Sequence, residues 1–301
     1  MPTIGARVRS TARRLADAGV PSPDVDAIVL IAHTLGVEPS DVRVAAARDD
    51  EWPEGADLDL LESRVIRRIE REPLQHITGR AYFRGLELEV GPGVFIPRPE
   101  TETVAQAAID AAHAVLHESA AAAGKPVRVT DLCAGSGAIG LAIANEVPNA
   151  LVTLVEASEE AWVYLRRNVR AQPIEVRERI RTVHADARNC LRHFDACADV
   201  VVTNPPYIPS DAVPIDLEVA LYDPPEALYG LGSDGLGVPR AIIDEAVRLL
   251  RIGGTLIVEH GDRQGQSLRE FATSSVYWED AATVQDLTGR DRMLVARRIG
   301  A

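Results

Sequence analysis

The chain has 301 residues, 46% of them apolar, enough for one large or two ordinary domains with packed cores. Its net charge of −13 and pI near 5.0 disfavour a protein whose affinity comes from neutralising phosphates, which needs the opposite sign. Cys133, Cys190 and Cys197 are an odd number without a C-x-x-C pair, so the sequence supports neither a disulfide framework nor a zinc knuckle and points to a reducing compartment.

At the N-terminus, arginines are followed by no apolar core of signal-peptide length, and no uninterrupted apolar run is long enough to span a bilayer. Apolar residues recur at helical spacing in 8–15, 25–35 and 58–69, with breaks at 19–23 and 52–55, so residues 4–72 read as a small helical bundle. Arg64, Arg67, Arg68 and Arg71 make a local basic run. At that spacing they read as a solvated face opposite Leu61, Val65 and Ile69. Between Tyr82 and Val90 the pattern alternates about Gly85, as in a hairpin.

The Ala-rich stretch 104–123 carries Gln106, Asp110, His113, His117 and Glu118 and reads as a helix in contact with water. His113 and His117 are spaced i, i+4, but no third metal ligand accompanies them, so they read as surface histidines. From Thr101 onward, helices near 138–147, 158–171 and 238–251 alternate with strands at 127–131, 151–155, 180–184, 199–203 and 254–259. That alternation predicts a parallel sheet with helices on both faces and a ligand at the carboxyl ends of its strands. Two last strands, 276–285 and 292–298, are joined by a turn at Gly289 and are close enough to pair antiparallel. The segment 205–239 is rich in Pro and Gly and lacks periodicity; a connection of that length is usually functional, and it is expected to wall the pocket.

The apolar run Val200, Val201, Val202 leads into Asn204-Pro205-Pro206-Tyr207. Two prolines fix φ and remove two backbone donors, which leaves carbonyls as acceptors. The Asn204 amide oxygen is another acceptor, and Tyr207 offers a flat face. Such a site suits a planar NH2 group. Upstream, the apolar strand through Asp131 enters a turn with Gly135, Gly137 and Gly140, where glycines allow close backbone approach and a helix start supplies free N–H groups. A second strand ends in Glu156, where an acid can accept both hydroxyls of a ribose. Gly135-x-Gly137-x-x-Gly140 by itself also fits a nicotinamide dinucleotide. Asp131 before the turn and Asn-Pro-Pro-Tyr on a later strand favour S-adenosylmethionine.

Further segments narrow the reading: Pro73-Leu-Gln-His-Ile-Thr-Gly79, Phe95-Ile-Pro-Arg98-Pro-Glu-Thr101-Glu102, Pro224-Pro-Glu226-Ala-Leu228, Gly232-Ser-Asp-Gly235-Leu236, Gly253-Gly254 and Asp286-Leu-Thr-Gly289-Arg290-Asp-Arg292. In this order, from about residue 73 to the C-terminus, the chain resembles the bacterial release-factor glutamine methyltransferases, the HemK family. One departure is Cys133, where the family usually has glycine. The resemblance implies an α/β fold: a Rossmann-like class I methyltransferase core with a seven-stranded, mostly parallel sheet, and a small all-helical N-terminal domain joined to it by a β-hairpin. It divides the chain into a helical substrate-recognition domain (1–78), a hairpin linker (79–98) and a methyltransferase domain (99–301).

It also implies S-adenosylmethionine as cofactor, S-adenosylhomocysteine as product and no metal. The cofactor would rest on Asp131, Cys133, Ala134, Gly135, Ser136, Gly137, Glu156, Asp186, Ala187 and Asn204. Asn204, Pro205 and Tyr207 would be catalytic, with Pro206 and Arg98 on the substrate side. The implied partner is a release factor with a Gly-Gly-Gln tip, in the cytoplasm, without direct binding to nucleic acid or membrane. Three alternatives stay open on the residues alone: methylation of an exocyclic base amine in RNA or DNA, a dehydrogenase, and a non-catalytic scaffold.

Overall fold

The computed structural model describes residues 3–119 and 124–300. They form two compact units, one from the N-terminus to Arg80 together with Pro214–Tyr222, the other Ala81–Val213 together with the chain from Asp223 onward.

The first unit contains α1 (Ile4–Asp17), α2 (Pro23–Leu35), α3 (Pro39–Ala47), α4 (Leu58–Ile69) and α5 (Leu74–Thr78). Thr3 and Asp57 cap α1 and α4 by accepting the amides of Ala6 and Leu60. Leu15, Leu30, Ile31 and Val65 close the core. Helix α3 is absent from the sequence reading; Pro39 occupies its first helical turn behind a Glu38–Asp41 capping box, where its missing N–H is no loss.

The expected solvated arginine face is corrected at Arg68 and Arg71. Arg68 is only 3% exposed. Its Nε donates to Asp26 at 2.7 Å and its Nη2 to Glu218 at 2.8 Å, and Arg71 Nη2 reaches the same Glu218 oxygen at 2.9 Å. Burial raises the Asp26 pKa, and the Arg68 hydrogen bond opposes it. The arginines are drawn inward because an acid 150 positions away in the chain comes to meet them.

In the second unit, β1 (Arg80–Phe83) and β2 (Leu86–Glu89) form a two-stranded sheet. Arg84 and Gly85 have φ of 47° and 77°, the doubly left-handed turn that matches strand twist. Then follow α6 (Thr101–Ser119), β3 (Val127–Leu132), α7 (Ala138–Glu146), β4 (Ala150–Glu156), α8 (Glu159–Ala171), α9 (Ile174–Arg177), β5 (Ile180–His184) and β6 (Ala198–Thr203). The helix expected over 104–123 starts three residues earlier, and 120–123 lie outside the described residues. After Val213 the chain enters the helical unit, contributing α10 (Leu217–Tyr222), and returns at Asp223. It continues through α11 (Pro225–Leu228), α12 (Gly237–Leu249), β7 (Leu250–Glu259), α13 (Gly265–Thr273), β8 (Trp278–Gln285) and β9 (Asp291–Arg298).

The large sheet has seven strands in the order β5-β4-β3-β6-β7-β9-β8. Strands β3 to β7 run parallel, and β9 pairs antiparallel with both β7 and β8. One helical layer packs with Val200 and Val202 and the other with Val201, so both faces are buried and the strands read as continuous apolar runs. Strand order reverses at β3. The loops after β3, β4 and β6 therefore splay apart at their carboxyl ends and open a crevice there.

Candidate active site

That crevice is a cavity of about 440 Å3, within the usual range for a small-molecule site. Its floor is the turn after β3. Cys133 and Gly135 are left-handed, with φ of 60° and 56°, and Gly137 follows at 91°. A Cβ on Gly135 would meet nothing within 4 Å, so it would project into the open cavity. Gly140 serves packing instead: its Cβ would stand 2.0 Å from Leu154 Cδ2. Helix α7 can thus lie close on the sheet and aim its first N–H groups at the cavity.

Two acids hold this turn. Glu156, 8% exposed, accepts the Gly135 amide on Oε2 and the Ser158 amide on Oε1, both at 2.7 Å. Burial raises its pKa, and these backbone donors oppose the rise. Asp131 lies behind the turn, off the cavity lining, where Oδ2 accepts the Gly140 amide at 2.9 Å. Burial pushes its carboxyl up to about 8.

Of the residues singled out in the sequence, Cys133, Ala134, Gly135, Ser136, Glu156, Asp186, Ala187, Asn204 and Pro206 line one cavity. Asp186 is bridged to Arg188, whose hydrogen bond lowers the Asp186 pKa. Asn204 Nδ2 donates to Thr101 Oγ1 at 3.3 Å, which leaves Oδ1 as its acceptor end. Gly137, Pro205, Tyr207 and Arg98 are not on the lining. The Tyr207 hydroxyl donates to Glu259 Oε1 at 3.4 Å, and burial pushes the phenol up. Arg98 is engaged elsewhere: its guanidinium pairs with buried Asp223 and stacks on Phe95. That pair ties the residues where the chain re-enters this unit to the segment of Phe95 and Pro97, and both stretches wall the cavity.

The long segment after β6 does supply wall: Pro224, Glu226, Ala227, Tyr229, Leu231 and Val238 line the cavity. Ile208 pairs with Tyr229 as a parallel bridge. Gly230 and Gly235 lie so close to the backbone of Pro206 and Tyr207 that a Cβ on either would come within 2.5 Å of a carbonyl oxygen. Only glycine allows the loop to grip the Asn-Pro-Pro-Tyr segment this tightly. Sequence reasoning assigned no role to Thr101, Glu259 or Gln264. Gln264 Nε2 holds the Tyr207 carbonyl at 2.8 Å. Glu259 had one usable signal, its position at the carboxyl end of a parallel strand. Among the described residues, no group of three or more His, Cys, Asp or Glu could hold a metal ion.

The arrangement is therefore a glycine turn held by an acid, with a planar amide on the lining of the same open cavity. Comparison with known proteins covers nearly the whole chain. Residues 8–79 match the family model PrmC N-terminal domain, and residues 100–223 match the methyltransferase small domain. The release factor glutamine methyltransferase of Bifidobacterium longum is 42% identical over 96% of this chain and 97% of its own length. That of Streptomyces coelicolor is 44% identical over 99% of both. A 4-amino-L-phenylalanine/4-methylamino-L-phenylalanine methyltransferase of Streptomyces pristinaespiralis is 36% identical over 94% of this chain and 91% of its own length. With both family models matched in order and relatives this similar over nearly the whole length, the chain belongs to the release factor glutamine methyltransferase family.

Proposed function

We propose that the protein binds S-adenosylmethionine in this cavity and transfers its methyl group to the side-chain amide nitrogen of glutamine in the Gly-Gly-Gln tip of a peptide chain release factor. The observation that carries this reading is that Asn204 and Pro206 share one cavity with the glycine turn and Glu156, in a chain whose full-length relatives are named for glutamine methylation.

The open space over Gly135 fits a ligand that approaches the backbone closely. Glu156 carries lone pairs beyond those used by Gly135 and Ser158, and these would accept the ribose hydroxyls. Cys133, Ala134, Ser136, Asp186 and Ala187 would complete the cofactor cradle, with Gly137 shaping the turn and Asp131 supporting it from behind through Gly140. Bound cofactor supplies an electrophilic methyl group on a sulfonium.

An amide nitrogen is a weak nucleophile because its lone pair is shared with the carbonyl. Geometry has to compensate. Asn204 Oδ1 and the Pro205 carbonyl each accept one N–H of the substrate amide, hold its nitrogen in line, and stabilise the positive charge that develops there. Pro206 and the Tyr207 ring pack the amide plane. A methylated amide cation sheds its proton readily, so the reaction needs no strong base. Arg98 acts on the substrate side indirectly, by fixing the wall through Asp223.

Residues 1–78 form the recognition domain for the factor outside its tip, 79–98 the linker and 99–301 the methyltransferase domain. The partner places the enzyme in the cytoplasm; no described helix is long and apolar enough to cross a membrane. The amino-phenylalanine relative makes a free aromatic amine the second substrate to test. Incubation with cofactor and an intact release factor, followed by mass spectrometry, should show one added methyl on the tip glutamine. Methylation of an aromatic amine, RNA or DNA, with the factor unmodified, would overturn the assignment.

A further inference from the structure

The two ends of a side-chain amide act oppositely: Oδ1 attracts an N–H, and Nδ2 repels one. Which end of Asn204 faces the substrate depends on the group beneath it. Nδ2 donates to Oγ1 of Thr101, a buried residue at the start of α6. A hydroxyl that accepts there must give its own proton elsewhere, and the Thr101 hydroxyl is near enough to the Glu259 carboxyl to favour its ionised form. Glu259 ends β7 and is 1% exposed. Its Oε1 accepts from Tyr207, and its buried Oε2 accepts no closed hydrogen bond.

An ionised carboxylate only accepts, so it draws the protons of both Thr101 and Tyr207 toward itself. A protonated one donates. It can then give its proton to Thr101 Oγ1, whose own proton turns to Asn204 and favours the inverted amide. Resting on the methyl-transfer reading above, we propose that ionised Glu259 is a positioning residue: through the Thr101 hydroxyl it holds the Asn204 amide oxygen toward the substrate, and through the Tyr207 hydroxyl it fixes that ring.

The charged and titratable groups facing Glu259 are Tyr207 after β6, Arg292 of β9 and Glu100 just before α6. The next residue, His260, is disfavoured as a cation by burial, and its Nδ1 bonds to the Gly261 carbonyl. Burial raises Glu259 to about 7, against the pull of Thr101, Arg292 and Tyr207 and with a push from Glu100. The working, ionised form therefore accumulates as pH rises through neutrality.

The test measures kcat against pH on a release factor for wild type, Glu259→Gln, Thr101→Val and Thr101→Ser, with S-adenosylhomocysteine affinity by calorimetry. Wild-type kcat should rise through a step near pH 7. Glu259→Gln should lower the plateau by about tenfold to a hundredfold, as small misplacements of reacting groups do, abolish the step and leave cofactor affinity unchanged. Thr101→Val should behave like it, whereas Thr101→Ser, which keeps the hydroxyl, should retain most of the rate. Glu259→Gln with the wild-type rate and step would overturn the inference, as would Thr101→Ser as impaired as Thr101→Val. The Thr101 pair decides the matter if Glu259→Gln does not fold. Wild type that methylates no amide at any pH would overturn the functional reading, and this inference with it.

Discussion

In the proposed reaction Asn204 brings one acceptor to a developing charge, and removing one such partner commonly costs about a hundredfold or more in rate. Asn204→Ala should therefore lose methyl transfer while keeping most of its affinity for S-adenosylhomocysteine, as read by single-turnover assay and calorimetry. Glu156→Ala should weaken that affinity by about 1–3 kcal/mol, because ribose hydroxyls and the Gly135 amide lose their acceptor together. Equal affinity in calorimetry would remove Glu156 from the site. At Cys133 the left-handed φ of 60° costs a side-chain-bearing residue about 1–2 kcal/mol. Glycine relieves that strain and loses part of the gain through its freer unfolded chain. Urea unfolding should show Cys133→Gly to be more stable by up to about 1 kcal/mol. Asn204 and Glu156 were legible in the sequence because each closes a short motif beside its strand. The pairing of Arg98 with Asp223 was not, since the two lie 125 positions apart.

Among the elements, α10 takes a place that no local pattern announced. Its six residues include Leu217 and Leu221, both exposed, and no buried residue. Contacts of other kinds hold it: Glu218 joins Arg68 and Arg71, and the Tyr222 hydroxyl donates to the Glu70 carbonyl at 3.0 Å. Removing Glu218 leaves the buried Arg68 with Asp26 and the Glu72 carbonyl alone. Glu218→Ala should destabilise the helical unit by about 1–3 kcal/mol and expose 214–222 to cleavage. Limited proteolysis with peptide mapping would show this; unchanged resistance would mean the clamp holds nothing. The sequence reading also ran helix 238–251 two residues too far, into what is the start of β7. Leu249 and Leu250 are both buried, and apolar residues at a helix-to-strand junction do not mark its position. Helix α13 went unassigned although its first residue packs against Thr283.

For the whole molecule, two buried carboxyls set how stability follows pH. Asp131 and Glu259 are raised to about 8 and about 7, so between the ordinary carboxylate range and those values the folded chain binds more protons than the unfolded one. Their contribution is greatest in acid and is lost as pH rises through about 7 to 8. The urea midpoint should fall between about pH 4 and pH 8 and level off above that, and Asp131→Asn should flatten the fall; an equal fall in the variant would assign it to other groups. The sequence by itself determined the fold class, the positions of the five parallel strands and the glycine and Asn-Pro-Pro-Tyr motifs, because strand period, turn chemistry and helix starts are properties of neighbouring residues. Tertiary structure alone decided that Arg68 is buried, that 214–222 belongs with the helical unit, and that Thr101 and Glu259 stand beneath Asn204 and Tyr207. Each of those depends on which distant residues the sheet order brings together, and a buried charge or hydroxyl takes its role from the partner that meets it there.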